Sequence, residues 1–224
     1  MKHIPSPNFN ERAQKSFIQY IVLHYTAMEP AQKAVERLCD PQHEVSAHYV
    51  IDYDGQITQL VDEDKRAWHA GESSWKGQDD LNSRSIGIEL VSMGSKPFPQ
   101  PQIESLQKLI KEIMQKHNLK SPCLLGHSDI APLRKEDPGV FFPWKKLANQ
   151  GFDAFPSPNK QDYAISSEAD VTTLLRKVGY ACTDDEESKR MTLMAFQRRY
   201  CAEKVDGGAD EETRARLHAL VRML

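Results

Sequence analysis

A histidine and an aspartate that could share a metal ion stand ten positions apart in the segment from Gly126 to Gly139. His127 follows the apolar run Cys123-Leu124-Leu125, so we expect it where a buried strand meets a loop. Loops on a rigid scaffold are common positions for reactive groups. Asp137 follows in the same loop, two positions after Lys135. The loop therefore has two candidate metal ligands. Lys135 is either a cation for an oxyanion or a solvated loop charge.

A catalytic zinc site needs a third protein ligand and an open position for water. His24 is the natural candidate, because it ends the apolar run Tyr20-Ile21-Val22-Leu23 and would share one edge of the sheet with His127 and Asp137. Taken alone, a histidine at the end of a strand is more often a hydrogen-bonded core or rim residue. Asp129 competes with Asp137 as the carboxylate ligand, although capping the turn after the strand is its more ordinary role.

Glu89 is the candidate general base. It interrupts the apolar run from Ile86 to Val91, and a buried carboxylate is costly unless it is paired or functional. A carboxylate beside a metal-bound water is the usual arrangement for metal-assisted hydrolysis. The alternative is an edge strand with Glu89 facing solvent, and the strand sequence does not decide between the two.

The elements that must position these residues alternate between strands and helices. The Asp54-Gly55 pair is the signal for a hairpin turn. Residues 69–85 have no periodic pattern and are predicted to form a loop. Strands are predicted at residues 20–24, 48–52, 56–61, 85–91 and 122–126, and helices near 30–39 and 103–117. This alternation predicts an α/β domain with a mixed central sheet flanked by helices.

The last part of the chain has a different character. Residues 151–165 contain two prolines and are predicted to link a catalytic domain at residues 1–150 to a helical domain at residues 166–224. Three short helices are indicated there by capping signals, which are Ser167 with Asp170, Asp184 with Glu187, and Asp210. We therefore expect a small three-helix all-α domain.

Composition and charge exclude several classes of protein. The 224 residues have a formal net charge of -3, with acids and bases spread along the chain, so a nucleic-acid-binding surface is not expected. No apolar run approaches the length of a membrane span, and the first residues lack the apolar stretch of a secretory signal. The four cysteines have neither metal-type nor redox-type spacing. We expect a monomer without a transmembrane segment.

Five segments together resemble the zinc-dependent N-acetylmuramoyl-L-alanine amidases of the type-2 family, which are related to peptidoglycan recognition proteins. In order they are His24–Ala27, Ser46–Asp52, Trp68–Gly71, Asn82–Val91 and Gly126–Gly139. The resemblance covers roughly residues 5–150. It implies one zinc ion bound by His24, His127 and Asp137, with Glu89 as general base and Lys135 as transition-state stabiliser. The residues expected to contact substrate are His48, Trp68, His69 and Asn82.

The activity that this resemblance implies is hydrolysis of an amide in peptidoglycan or muropeptides. The amide joins N-acetylmuramic acid, or its anhydro form, to the L-alanine of the stem peptide, in cell-wall degradation or recycling. One rival is a non-catalytic muropeptide recognition protein, which the complete set of ligands, base and lysine disfavours. A second rival is a zinc peptidase that acts on another bond, and the identity of the products separates it from the amidase.

The C-terminal segment resembles the three-helix peptidoglycan-binding module. The resemblance lies in Phe196–Tyr200, then in Val205–Gly208 and Thr213. The chain departs from that pattern at Thr183–Glu187, where such modules often carry an Asp-Gly-containing repeat, so wall binding stays open. An appendage of this kind favours the cell envelope, in the periplasm or at the outer membrane, whereas the missing signal favours the cytoplasm. We expect the envelope.

Overall fold

A six-stranded mixed sheet forms the centre of the protein. It is seen in a computed structural model that describes residues 1–167 and 170–224. The strands and helices up to residue 150 are β1 (Lys2–His3), β2 (Phe9–Glu11), β3 (Tyr20–Tyr25), α1 (Ala31–Cys39), β4 (Tyr49–Ile51), β5 (Ile57–Gln59), β6 (Lys65–Ala67), α2 (Leu81–Arg84), β7 (Ser85–Leu90), α3 (Gln100–Lys116), β8 (Leu124–Gly126), α4 (His127–Ile130) and α5 (Trp144–Ala148).

The order of strands in the sheet is β1-β5-β4-β7-β3-β8. The hairpin pair β4 and β5 is antiparallel, whereas β3, β4, β7 and β8 run parallel to one another, so the predicted mixed α/β sheet is confirmed. Strands β2 and β6 form a separate antiparallel pair. Because β7 lies inside the sheet between β4 and β3, the alternative of an edge strand for Glu89 is excluded.

The parallel strands are buried on both faces, as their continuous apolar sequences require. Ile21, Val22 and Leu23 of β3 are all fully buried. Helix α3 covers one face of the sheet with the apolar positions whose spacing predicted it, namely Ile103, Leu106, Ile110 and Ile113. Parallel strands bring their carboxyl ends to one edge of the sheet, where ligands bind in open α/β folds. The residues at the ends of β3, β7 and β8 therefore meet at that edge.

Among its described residues the C-terminal part contains four helices, which are α6 (Lys160–Ala164), α7 (Val171–Val178), α8 (Glu186–Tyr200) and α9 (Glu211–Met223). Asp210 accepts a hydrogen bond from the Thr213 N–H and caps α9 as predicted. The predicted capping pair Ser167 with Asp170 is wrong for α7, because Asp170 is itself the cap and accepts from the Thr173 N–H. The prediction for α8 is wrong by one residue. Asp185 is the cap, because Asp184 forms an ion pair with Arg176 instead.

The predicted linker at residues 151–165 contains α6, which packs against α9. Asn159 and Asp162 bond each other's backbone N–H groups in a capping box, and this local pairing starts the helix. The division into domains at residues 150 and 166 stays a prediction. Within the described residues, no helix combines the length and the apolar character needed to cross a membrane.

The C-terminal helices share one hydrophobic core with part of the central sheet. Leu125 and Ile130, on either side of His127, lie in the same buried cluster as Leu175 and Phe196. In this cluster the ring of Trp75, from the long loop before β7, meets the ring of Tyr180 edge-on at 5.0 Å. The helical part is therefore packed directly against the elements that carry the candidate site.

Candidate metal centre and active site

Three predicted ligands meet at the carboxyl edge of the sheet. His24 Nδ1 lies 3.0 Å from His127 Nδ1 and 2.9 Å from Asp137 Oδ2. The third side of this triangle, from His127 Nδ1 to Asp137 Oδ2, is 3.1 Å. All three residues are buried, and their ligand atoms lie within 4.8 Å of one another, a grouping that could hold a metal ion.

The strand register explains how residues more than a hundred positions apart come together. Leu23 of β3 is paired with Gly126 of the parallel strand β8, so the next residues, His24 and His127, lie side by side. Asp137 returns to them through the loop after α4. A hydrogen bond of 2.9 Å from the Ser128 backbone N–H to the Asp137 carbonyl closes that loop.

The second ring nitrogen of each histidine is held by another group. His127 Nε2 lies 3.1 Å from the Ala70 carbonyl oxygen, which can only accept, so the tautomer of the neutral ring that fits this contact has its proton on Nε2 and leaves Nδ1 free. His24 Nε2 lies 3.1 Å from His69 Nδ1. Metal-binding histidines use their other nitrogen in this way, to fix the tautomer and the ring orientation.

A chain of hydrogen bonds sets the tautomer of His24. The Ser85 hydroxyl donates to the Leu81 carbonyl at 2.6 Å and therefore accepts from His69 Nε2 at 3.3 Å. His69 Nδ1 is then an acceptor for the N–H of His24 Nε2. The ring of His69 fits because residue 87 is glycine, since a Cβ atom there would lie 2.4 Å from a His69 ring carbon. Two imidazole nitrogens and a carboxylate oxygen, arranged with these outer partners, suit zinc.

The charge states of His24 and Asp137 favour the binding of a cation. Burial lowers the pKa of His24 to about 4, helped by the neighbouring His127, so His24 is neutral at pH 7. Burial alone would raise the pKa of Asp137, but the two imidazole rings next to its carboxylate, those of His127 and His24, outweigh burial and keep the pKa below its usual range. His24 thus offers a free nitrogen and Asp137 a charged oxygen.

The ligands lie in a cavity of about 420 Å³ beneath helix α1. Of the other predicted residues, Glu89, Lys135, Trp68 and His69 also line it. Lys135 is half-buried, and its charge opposes the rise in the pKa of Glu89. The sheet edge therefore gathers the predicted ligands, base and lysine in one cavity.

Glu89 is next to His24 across the sheet, because the two residues are paired in register on β7 and β3. Its Oε2 atom is shielded from solvent and has no hydrogen-bond partner among the described residues. Burial raises the pKa of Glu89 to about 8, with a further contribution from the charge of Asp137. A carboxyl group with a free oxygen and a pKa near neutrality is suited to accept and return a proton.

His48 and Asn82 lie behind the cavity wall, whereas we expected them to contact substrate. Both ring nitrogens of the fully buried His48 are used, since Nδ1 accepts from the Gly87 N–H at 2.9 Å and Nε2 lies 3.1 Å from the Lys65 carbonyl. Asn82 Oδ1 accepts from the backbone N–H groups of His69 and Ala70, at 3.0 and 2.8 Å. The ring nitrogens of His48 and Oδ1 of Asn82 are therefore used in hydrogen bonds to the backbone behind the cavity wall.

Asp129 is not one of the grouped ligand atoms, and its predicted capping role is confirmed. Its Oδ2 accepts from the Gly126 N–H at 2.7 Å, and its Oδ1 accepts from the Tyr180 hydroxyl at 2.7 Å. It also pairs with the guanidinium of Arg199. The sequence predicted the turn at Asp129, but it did not indicate the partners Tyr180 and Arg199, which are far away along the chain.

Arg134 is a site residue that sequence reasoning missed. It lines the cavity and donates to the Ala70 carbonyl at 2.6 Å and to the Glu72 carbonyl. Gly71 lies between these carbonyls with φ 59°, and a Cβ atom there would lie 2.9 Å from the Arg134 guanidinium. In the sequence Arg134 is one more charge in a polar loop, because its contacts depend on how two distant loops meet.

Comparison with known proteins shows that the chain is similar to N-acetylmuramoyl-L-alanine amidases. The profile of the family described as "N-acetylmuramoyl-L-alanine amidase" (Amidase_2) matches residues 14–140. The chain is 37% identical to N-acetylmuramoyl-L-alanine amidase AmiD of Escherichia coli over 230 aligned residues, which cover 91% of this chain and 82% of AmiD. It is 36% identical to 1,6-anhydro-N-acetylmuramyl-L-alanine amidase AmpD of Haemophilus influenzae, over 65% of this chain and 89% of AmpD.

Two solved structures are similar over nearly the whole chain. Escherichia coli AmiD, in complex with anhydro-N-acetylmuramic acid-L-Ala-D-gamma-Glu-L-Lys, superimposes with a TM-score of 0.82 and 34% identity, over 96% of this chain and 98% of that one. AmpDH3 of Pseudomonas aeruginosa, in complex with anhydromuramic pentapeptide, gives a TM-score of 0.83 and 33% identity, over 95% of each chain. The similarity therefore extends to most of the C-terminal helices.

Proposed function

Because the chain belongs to the N-acetylmuramoyl-L-alanine amidase family, we propose that it hydrolyses the amide between N-acetylmuramic acid and the L-alanine of the stem peptide. The observation that carries this proposal is one cavity with three grouped ligand atoms and the carboxyl group of Glu89, whose Oε2 has no hydrogen-bond partner in the part of the chain that the structure describes. Metal-assisted hydrolysis needs this combination of a metal position and an adjacent base.

We propose that His24, His127 and Asp137 hold one zinc ion. Their support is the triangle of donor atoms at 2.9 to 3.1 Å and the outer partners that leave Nδ1 of both histidines free. When bound, zinc supplies a Lewis acid that polarises a carbonyl oxygen and lowers the pKa of a water molecule. Three protein ligands leave one position for that purpose.

We propose that Glu89 carries the proton through the reaction. Its free Oε2 takes one proton from the attacking water, and the water oxygen bonds to the carbonyl carbon of the lactyl group. The carbon–nitrogen bond then breaks, and Glu89 returns the proton to the amine of L-alanine. The products are the carboxylic acid of the muramyl group and a stem peptide with a free amino group, and at neutral pH the acid gives up its proton and the amine takes one up. A pKa near neutrality suits both halves of this transfer.

We propose that Lys135 stabilises the negative charge that develops on the carbonyl oxygen. The support for this role is that Lys135 lines the cavity and lies in the chain between Arg134 and the proposed ligand Asp137, which line the same cavity. A fixed cation at the developing oxyanion lowers the barrier more than the same charge would in water. Trp68 and His69 line the cavity, and we propose Trp68 as a surface against which substrate packs.

We propose that anhydro-muramyl peptides are among the substrates. The support comes from relatives, because the AmiD and AmpDH3 structures contain anhydromuramic peptides and AmpD is named for a 1,6-anhydro substrate. For location we keep the cell envelope as a proposal, which rests on the resemblance of the C-terminal helices to a wall-binding module. Fractionation of cells that make the native protein tests it.

The experiment that tests the function is digestion of an anhydro-muramyl tripeptide, followed by mass spectrometry of the products. We expect anhydro-N-acetylmuramic acid and an intact tripeptide that begins with L-alanine. A chelator should abolish turnover and added zinc should restore it, whereas the variant His127→Ala should stay inactive with zinc present. Binding without turnover would identify a recognition protein, and cleavage between amino acids would identify a peptidase.

A further inference from the structure

Helix α8, in the C-terminal helical part, directs two consecutive arginines at the loop that carries the candidate ligands. We name residues 127–137 the metal-site loop, since they include His127, Lys135 and Asp137. We propose that Arg198 and Arg199 are positioning residues that hold this loop in its metal-binding conformation. The helical part is then a component of the hydrolytic site in addition to any role in wall binding. This inference rests on the proposed function.

Arg199 holds the start of the metal-site loop from two sides. Its guanidinium pairs with Asp129, two residues after His127, and donates to the Leu124 carbonyl at 3.0 Å, three residues before His127. The same group bonds Asp153 Oδ2 at 2.7 Å and lies 4.2 Å from the centre of the Trp144 ring. The guanidinium is a rigid fork of N–H donors, and here it bonds the chain on both sides of His127, so it restricts the backbone at His127.

Asp129 transmits this contact to the turn that carries His127. Its Oδ2 atom, which pairs with Arg199, also accepts from the Gly126 N–H, and its Oδ1 accepts from the Tyr180 hydroxyl. Arg199 and Tyr180 both belong to the C-terminal helical part. The orientation of the Asp129 carboxylate, and with it the turn from Gly126 to His127, therefore depends on that part of the chain.

Arg198 reaches the other end of the metal-site loop. It donates to Glu136 Oε1 at 2.8 Å, and Glu136 stands between Lys135 and Asp137. The guanidinium of Arg198 is almost completely buried, whereas the Glu136 side chain is mostly exposed. Two neighbouring residues of one helix thus contact both ends of the loop.

Burial makes the contact at Arg199 costly to break. The side chains of Asp129, Asp153 and Arg199 are each at most 4% exposed. Removing one partner of a buried ion pair leaves an uncompensated charge, and this is strongly destabilising. The metal-site loop should therefore shift when Arg199 loses its fork, even where the helix itself remains folded.

The test compares Arg199→Lys and Tyr180→Phe with a matched control, Arg222→Lys. Arg222 belongs to the same helical part and also pairs with a buried aspartate, Asp162, at 2.7 Å, but it does not contact the metal-site loop. The readouts are zinc affinity by competition with a chelator, the melting temperature, and hydrogen–deuterium exchange of the Gly126 and Ser128 amides in metal-free protein.

We expect Arg199→Lys to weaken zinc binding about 10- to 100-fold, the range found for outer partners of metal ligands, and to speed amide exchange in the loop. Tyr180→Phe removes one hydrogen bond and should weaken zinc binding about 3- to 10-fold. If Arg199→Lys does not fold, the results for Tyr180→Phe decide the test. Arg222→Lys should lower the melting temperature and leave zinc affinity and loop exchange unchanged.

The proposal is overturned if folded Arg199→Lys and Tyr180→Phe keep the zinc affinity and loop exchange of the parent. It is also overturned if Arg222→Lys weakens zinc binding as much as they do, because the effect would then reflect general stability. A parent protein that binds no zinc would contradict the proposed metal centre instead. Loop exchange in metal-free protein would still decide whether helix α8 holds the loop.

Discussion

His24 and Glu89 are paired in register on the adjacent parallel strands β3 and β7, so a candidate metal ligand and the candidate base leave the same face of the sheet. Parallel strands inside a sheet are among the most rigid positions that a fold offers. The relative position of these two side chains is therefore fixed by backbone hydrogen bonds, without any loop movement.

Replacing Glu89 by glutamine should separate metal binding from turnover. Glutamine has the same shape but cannot accept the proton from water, so kcat should fall by about 10²- to 10⁴-fold. Zinc content, measured by atomic absorption, should remain that of the parent, because Glu89 is not one of the grouped ligands. The exposed Glu112→Gln on α3 is the control, and near-parental kcat in Glu89→Gln would remove Glu89 from the mechanism.

The unfolding free energy of the metal-free protein should fall as pH rises toward 8. The folded pKa of Glu89 is about 8 and its ordinary value is 4.5, so the folded state binds more protons than the unfolded chain between these values. Stability decreases with pH wherever the folded state holds more protons. Buried His24 and His48, whose pKa values are lowered to about 4 and about 3, have the opposite effect, but only below about pH 6.5.

Urea unfolding between pH 6.5 and 8 measures this effect without interference from those histidines. The variant Glu89→Gln should lose the decline and be more stable than the parent at pH 8. Parent and variant curves that run parallel across this range would show that Glu89 titrates normally in the folded protein.

Replacing Lys135 by methionine should lower kcat while zinc remains bound. Methionine keeps most of the side-chain volume and removes the charge, and loss of one oxyanion-stabilising group costs about 10²- to 10³-fold in kcat. The exposed Lys146→Met is a matched control. An effect on KM alone, with kcat unchanged, would assign Lys135 to substrate binding.

His69→Gln should weaken zinc binding, although we first expected His69 to contact substrate. Its Nδ1 atom holds the N–H of His24 at 3.1 Å and so keeps the opposite nitrogen of His24 free. Loss of such a partner typically costs about 10- to 100-fold in metal affinity. Competition with a chelator measures the change, with the exposed His43→Gln as control. An unaltered zinc affinity would show that His69 lines the cavity without orienting His24.

The sequence was sufficient for five strands of the main sheet and for the residues that end them. Apolar runs and the Asp54-Gly55 turn signal correctly predicted β3, β4, β5, β7 and β8, because hydrophobic periodicity reports local burial. The short strands β1, β2 and β6 were not predicted, since they have two or three residues each and no apolar run. His24, Glu89 and His127 were recognisable because each is a polar residue at or near the end of an apolar run. Parallel strands then bring such residues together without further information.

What could not be predicted depends on contacts between distant parts of the chain. For Asp129 the sequence predicted a turn cap, with a metal ligand as the alternative, and nothing local indicated that Arg199 would pair with it. Arg134 and His69 likewise acquire their partners only when segments far apart in sequence meet. Arg134 is an ordinary loop residue in any sequence window, and for His69, which the family resemblance indicated as a substrate contact, only the packed structure shows the bond to His24.

The most direct test of the account is hydrolysis of an anhydro-muramyl tripeptide in water enriched in ¹⁸O, followed by mass spectrometry of both products. We predict that zinc-loaded protein places one ¹⁸O in the lactyl carboxylate of the sugar product and none in the released peptide, whose first residue is L-alanine. Label in the carboxylate of an amino acid, or no zinc-dependent release of the intact peptide, would contradict the assignment.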